Sequence, residues 1–324
     1  MTGPHPGCPA HAAAATPANA AAVVVDDLRR SFGTTEALSG VSFSVGRGEL
    51  FGVVGPDGAG KTTLLRILAG VLAPTAGDAR VSGRSTRDDP EGVKHHIAYM
   101  AQRFGLYVDL TVRENIDFYA DLYRVPRRLR PARLERLYQF SQLGPFERRL
   151  AGNLSGGMKQ KLSLCCALIH EPEVLLLDEP TFGVDPISRR DLWLIIHEMV
   201  ASGVTTIAST AYLDEAERCD RVVLLHEGRV LGVDPPADFL TGLAHRVMSL
   251  EVAAARKALG ALREDPAIES ADMFGDVVHA TMKSSVADWP AVAERLAGHG
   301  VEIMHAAPAE PSLEDSFLEL TRGG

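Results

Sequence analysis

Residues 50–63 read LFGVVGPDGAGKTT. A short apolar run without alternation passes into a glycine-rich loop and then into a helix-forming stretch. The run suits a strand buried on both faces. GPDGAGKTT, residues 55–63, fits the pattern GxxxxGK[ST] in the strand–loop–helix context that this pattern requires. Gly55, Gly58 and Gly60 let the backbone aim N–H groups at phosphate oxygens, with Pro56, Asp57 and Ala59 completing the loop. The helix that follows turns its positive end toward the same anion. Lys61 is expected to reach the outer phosphates, Thr62 to hold Mg2+ through its hydroxyl, and Thr63 to add a donor. A glycine-rich turn without a ligand is the plainer alternative, and it leaves the complete set of fixed positions unexplained.

The rest of the chain repeats the alternation of strand and helix. VSFSV (41–45), VLLLD (174–178), VTTIAS (204–209) and RVVLL (221–225) read as buried strands, and helices are expected after Gly60 and after Pro186. We therefore expect an α/β domain with a largely parallel sheet. RVVLLHEGRVLG, turning at Glu227 and Gly228, adds an antiparallel hairpin. VLLLDE places Asp178 and Glu179 at a strand exit beside the loop, where Asp178 can support the Mg2+ shell and Glu179 can polarise an attacking water. Without the phosphate loop, two acids at a strand end would be read as helix caps.

TVRENIDFYADLY and PARLERLYQFSQL, within 111–170, carry helical patterns with no strand between them, so an inserted helical subdomain is expected over about 103–170. Its arginines 124, 127, 128, 130, 133 and 136 read as a solvated face, with a partner surface as the alternative. From residue 245 to 324 the order strand, helix, strand, strand, helix, strand, closed by a helix at PSLEDSFLELT, reads as a small α+β ferredoxin-like domain. It carries no recognisable reaction site.

Composition limits the function classes. Hydrophobic residues make up 46% and charged residues 23%, the balance of ordinary globular domains. The net charge of −9 gives no electrostatic reason to expect nucleic acid as the partner. No stretch approaches the roughly 18 to 20 apolar residues of a membrane-spanning helix. Residues 1–22 are rich in Ala and Pro and contain no Lys or Arg, so a disordered tail is expected rather than a secretory signal. Cys8, Cys165, Cys166 and Cys219 lack metal-ligand spacing. The adjacent pair lies in an apolar helical run and reads as small buried thiols, consistent with a cytosolic setting.

LSGGMKQ, 154–160, offers a second helix start with free backbone, at Ser155, Gly156 and Gly157. One nucleotide does not need two cradles from one chain. Two chains face to face, each lending its second cradle to the other's ATP, is the economical solution. Here the sequence resembles, over nearly all of residues 23–324, the ATP-binding subunits of ABC transporters. Within that family it is most like the bacterial drug-exporter (ABC-2 type) subunits whose C-terminal accessory domain ends in an SLEDSFLEL-like helix. The resemblance rests on the order of Phe32, GPDGAGKTT, Gln102 in YMAQRFGLY, LSGGMKQ, VLLLDE, and GVDP with Asp185. Met158 departs from the usual signature Gln, with Ser155, Gly156 and Gly157 intact.

The resemblance implies an ATP-binding domain over 23–244 and an accessory domain over 245–324. It further implies Phe32 stacked on adenine, Gln102 sensing Mg2+ and water, and Asp185 in the facing-subunit loop. The expected function is the coupling of ATP binding and hydrolysis to transport, with export the expected direction. The partners would be separate membrane permease subunits and a second ATPase subunit, at the cytoplasmic face of the membrane, with no nucleic acid. The alternatives are a degenerate regulatory ATP-binding subunit with little turnover and a soluble non-transport ABC ATPase. The family usually carries a switch histidine, as in THYMDEAE, where IASTAYLDEAERCD (207–220) has Ala211. Slow ATP hydrolysis follows as an expectation from that departure.

Overall fold

The computed structural model describes residues 21–102, 105–243 and 245–323. The expected tail falls outside them except for Ala21 and Ala22, which open the first strand. The chain divides into two compact units, one ending at Asp234 and one starting at Pro235. That division lies ten residues before the expected 244/245 boundary. The connecting 3-10 turn Pro236–Leu243 is grouped with the second unit, where its residues lie near those of the C-terminal helix.

The first unit opens with β1 (Ala21–Phe32), β2 (Thr35–Gly46) and β3 (Leu50–Val54), then α1 (Lys61–Leu68). It continues through β4 (Ala76–Val81), β5 (Arg84–Ser85), α2 (Pro90–Lys94) and β6 (Ile97–Met100). The helical insertion holds α3 (Val112–Leu122), α4 (Arg130–Ser141) and α5 (Gly156–Leu168). After it come β7 (Val174–Asp178), α6 (Pro186–Ala201), β8 (Thr205–Thr210), α7 (Leu213–Ala216), β9 (Arg221–His226) and β10 (Arg229–Asp234).

Two sheets form. The larger has the order β10-β9-β3-β8-β7-β6 and is parallel except for the β9–β10 hairpin. The other, β2-β1-β4-β5, is antiparallel. VSFSV therefore lies in β2, outside the parallel sheet in which its apolar content had suggested a place. Its Val41, Phe43 and Val45 are buried while Ser42 is exposed, the alternation of a strand covered on one face.

Helix α1 lies in the core with both sheets. Leu64, Leu65, Ile67 and Leu68 are fully buried in one cluster with Val23 and Val41 of the antiparallel sheet and with Val53, Leu176 and Ile207 of the parallel one. Each such side chain contributes about 2 kcal/mol in area terms. The loop before α1 is thus anchored by a helix that cannot shift without unpacking two sheets. In the insertion, a capping box at Thr111 and Glu114 starts α3. Buried Asn115 bonds the carbonyls of Tyr107, Leu110 and Thr111 and accepts from the Tyr107 N–H. Of the six arginines, Arg130 pairs with Asp121 and Arg133 with Glu171. Those two are structural ties and not members of a uniformly solvated face.

The second unit runs β11 (Val247–Val252), α8 (Ala255–Glu264), β12 (Ile268–Phe274), β13 (Val277–Met282), α9 (Trp289–Gly298), β14 (Ile303–Pro308) and α10 (Leu313–Gly323). Its antiparallel sheet has the order β12-β13-β11-β14, the ferredoxin-like arrangement expected. Leu262, Val292 and Leu296 of the two covering helices pack on Leu250, Val278 and Ala280. Arg295 grips Asp265 with two bonds of 2.7 and 2.8 Å, and His279 on β13 meets buried Asp315 of α10 at 3.2 Å.

Both aspartates are held below the usual carboxylate range. For Asp265 the Arg295 bond is the main cause, while for Asp315 the His279 and Ser312 bonds outweigh burial, which acts in the opposite direction. A depressed folded pKa gives stability that is present above the unfolded value and lost as pH falls through the folded one. Denaturant midpoints of the C-terminal unit should be flat above about pH 5 and drop below about pH 4. Asp265→Asn should flatten that acid limb, as followed by Trp289 fluorescence in denaturant titrations.

Candidate nucleotide-binding and hydrolysis site

The loop 55–60 joins the exit of β3 to the start of α1. At Gly60 the backbone is left-handed, with φ 104°, and an added Cβ would stand 2.6 Å from the Ala37 carbonyl. Only glycine allows that approach, which lets the helix begin at Lys61 with its first N–H groups facing the loop. The β9–β10 turn supports the loop from below, with the Gly228 N–H donating to the Ala59 carbonyl at 3.1 Å.

Lys61 is 4% exposed. Its ammonium donates to the carbonyls of Gly55 at 2.8 Å and Pro56 at 3.1 Å, and stands 3.2 Å from Glu179 Oε1. Thr62 Oγ1 donates to Asp178 Oδ1 at 3.0 Å across 116 positions of sequence. Ser209 of β8 donates to the same oxygen at 2.9 Å, and the Tyr99 hydroxyl donates to Oδ2 at 3.3 Å. The Tyr99 phenol is pushed up to about 12 by burial and by the Asp178 charge, so it remains a donor at neutral pH. Glu179 has left-handed backbone, φ 49°, an uncommon state for a side-chain-bearing residue and the kind of strain found at functional positions. The Ser209 hydroxyl accepts its N–H at 3.0 Å, and Gln102 Nε2 donates to its Oε2 at 2.8 Å.

Asp57, Gly58, Ala59, Gly60, Lys61, Thr62, Thr63, Gln102 and Glu179 line one cavity of 370 Å3 with Ala37 and Phe182. Gly55 and Pro56 face it through Lys61, and Asp178 through Thr62. Those three are outside the lining but bonded to it, and the other five expected residues stand apart. Phe32 ends β1, about half exposed, with the Arg30 guanidinium 4.5 Å from its ring centre. Ser155 caps α5 by accepting the Met158 N–H at 3.2 Å, with Gly156 and Gly157 in the first turn. Asp185 caps α6 by accepting the Ser188 N–H at 3.0 Å, and these bonds to Ser188 hold its carboxyl low.

The donor set suits the expected ligands. A buried ammonium and helix-start N–H groups match polyphosphate, and a threonine hydroxyl beside an aspartate matches Mg2+, which prefers hard oxygens. Mg2+ would be held through Thr62, Asp178 and Gln102, and would supply charge neutralisation at the phosphates.

The segment around Ala211 has its polar groups engaged elsewhere. Ala211 lines a second cavity, of 240 Å3, with Asp57, Glu179, Thr181, Phe182, Thr210 and Tyr212. Among the described residues no histidine lines it. The Thr210 hydroxyl donates to Glu215 Oε2 at 2.7 Å and accepts the Tyr212 N–H at 3.0 Å. The Tyr212 ring lies under the Arg189 guanidinium at 4.5 Å. His197 tilts against Trp193 on α6, and His226 ends β9. Helix α7, which follows Tyr212, is four residues long.

Sequence reasoning missed Tyr99, Ser209, Thr181 and Glu215. For Ser209 a signal existed, since four hydroxyl residues in the buried six-residue strand β8 demand partners. Glu215 gave none, because acids near a helix start are ordinarily exposed.

A strand, a phosphate loop, a helix and, two places along the same sheet, a strand that runs out into Asp178 and Glu179 define a P-loop nucleotide-binding protein. Residues 38–182 match the family model described as ABC transporter. The chain is 40% identical over 309 residues to the probable multidrug ABC transporter ATP-binding protein YbhF of Escherichia coli (strain K12), covering 94% of this chain and 53% of that protein. It thus spans about half the length of that curated relative. It is 34% identical over 304 residues to the daunorubicin resistance ATP-binding protein DrrA3 of Streptomyces coeruleorubidus, covering 93% of this chain and 96% of that one. A solved structure described as the ATP binding subunit of an ABC transporter superposes with a TM-score of 0.62 at 32% identity, over 68% of this chain and 93% of that chain. The chain belongs to the ABC transporter ATP-binding family.

Proposed function

We propose that this chain is the ATP-binding subunit of an exporter, coupling ATP binding and hydrolysis to transport through separate membrane permease subunits. The observation that carries the reading is the meeting of Lys61, Thr62, Glu179 and Gln102 around one cavity, with Asp178 bonded to Thr62 behind it, while Ser155, Gly156, Gly157 and Asp185 stand apart from it. A signature removed from its own loop has use when it faces a second ATP-binding subunit, identical or different. The named relatives, a probable multidrug transporter ATP-binding protein and a daunorubicin resistance ATP-binding protein, support an exporter of small molecules. No helix among the described residues is long and apolar enough to cross a membrane; the likeness to transporter ATP-binding proteins supports a peripheral place at the cytoplasmic face. Phe32, with its exposed ring, would stack on adenine.

In this reading the loop and Lys61 would hold the phosphates of ATP, Thr62, Asp178 and Gln102 would hold Mg2+, and Glu179 would orient water for attack on the terminal phosphate. Ala211 favours a slower variant of that function, a subunit that binds ATP well and turns it over reluctantly. Paired with a fully active ATPase, it would contribute a mainly structural site. Copurification with a polytopic permease, and ATPase activity stimulated by it in liposomes, are the expected results. A chain that sediments with ribosomes and ignores every permease encoded beside it would sink the transport reading.

A further inference from the structure

Glu215 is wholly buried, and although it lies in the DEAE stretch after Ala211, no role was read for it in the sequence. Its two oxygens are taken by hydroxyls from different elements: Thr181 donates to Oε1 and Thr210 to Oε2, both at 2.7 Å. Thr181 lies two residues beyond Glu179, and Thr210 immediately precedes Ala211. The only cation near the carboxylate among the described residues is Arg189, whose Nε stands 3.5 Å from Oε1. Arg189 belongs to the first turn of α6, where its N–H bonds the Asp185 carbonyl at 2.9 Å. Its neighbour Ser188 packs on the first turn of α5, so closely that a Cβ on Gly157 would fall 2.2 Å from the Ser188 hydroxyl oxygen.

A buried carboxylate is costly unless its lone pairs are filled, and here filling them fixes three segments against one another. We propose that Glu215 is a positioning residue for hydrolysis. It locks the backbone after Glu179, the end of the strand before Ala211, and the helix after Asp185 into one arrangement. The contacts continue through the Arg189 ion pair and the packing of Ser188 on Gly157, so the start of the signature helix and the hydrolytic carboxylate are joined by one chain of hydrogen bonds, an ion pair and a packing contact. Among the described residues Glu215 bonds Thr181, Thr210 and Arg189 and makes no direct bond to Lys61, Thr62 or Asp178, which separates the expected effect on turnover from a direct effect on ATP affinity.

The inference rests on Glu179 acting as the hydrolytic carboxylate. The test is single-turnover hydrolysis of radiolabelled ATP by the full chain in excess, with affinity read from a fluorescent ATP analogue and folding from the thermal midpoint. Glu215→Gln keeps the shape but removes the charge and one acceptor. It should slow hydrolysis by about 10- to 100-fold, as a small misplacement does, with affinity within about 2-fold and the chain still folded at the assay temperature. Thr181→Val should slow hydrolysis less, and should add little on top of Glu215→Gln, because both break one network. Should Glu215→Gln fail to fold, Thr181→Val and Arg189→Gln carry the test alone, each expected to lower the rate at retained affinity.

A Glu215→Gln rate within about 2-fold of native would overturn the proposal, as would a loss that follows affinity or the thermal midpoint, the mark of a merely structural carboxylate. The series is run in parallel on the native chain and on the Ala211→His chain. Absence of turnover in both would also overturn it. Glu179→Gln included beside them tests the underlying reading separately: native-like hydrolysis there removes the hydrolytic role of Glu179, whereas slow Glu179→Gln with fast Glu215→Gln removes only the role of Glu215.

Discussion

Ala211→His should raise single-turnover ATP hydrolysis by about 10²- to 10⁴-fold, the range spanned by one positioned general acid–base group. The cavity at Ala211 already has Glu179 on its wall and a volume of 240 Å3, so an imidazole has room beside the carboxylate. The side chains flanking position 211 do not compensate in the native chain, since Thr210 is bonded to Glu215 and Tyr212 stacks under Arg189. ATP affinity should stay within about 2- to 3-fold, because the loop, Lys61 and the Thr62–Asp178 pair are untouched. The check is a rapid-quench time course with both chains at matched nucleotide occupancy. A native chain that hydrolyses ATP quickly, and gains nothing from the histidine, would mean that another group completes the site.

The parts of the molecule that were legible in the sequence are those set by local rules. GPDGAGKTT named its own strand, turn and helix, because glycine at a left-handed position and lysine at a helix start are chemically constrained. The C-terminal unit was legible through its order of elements, and the β9–β10 hairpin through Glu227 and Gly228, both left-handed in the structure. What escaped reading is non-local. VSFSV was grouped with the buried strands by its apolar content, although its own alternation, Ser42 out and Val41, Phe43 and Val45 in, marks a one-sided strand. Glu215 was hidden more thoroughly. Its partners Thr181 and Thr210 are brought to it by neighbouring strands, so nothing within DEAE distinguishes a buried bridge from exposed helix-start acids.

Lys61→Met should weaken ATP binding by about 10²-fold or more while leaving the fold in place. The ammonium is the one cation lining the loop cavity, and charge-assisted bonds of this kind contribute about 1.5–3 kcal/mol each. Methionine fills most of the same space, so α1 should keep its packing against both sheets. Two carbonyls, of Gly55 and Pro56, lose a donor, and Glu179 loses its cation at 3.2 Å. The carboxylate then faces incoming phosphate without a charge between them, which opposes binding further at low ionic strength. Equilibrium titration with a fluorescent ATP analogue, in the presence of Mg2+, measures the change directly. Adenosine, which has no phosphate to meet the lysine, should bind the native and substituted chains alike. Equal losses for ATP and adenosine would indicate a damaged cavity rather than a missing charge, and unaltered ATP affinity would remove Lys61 from the phosphate-binding role.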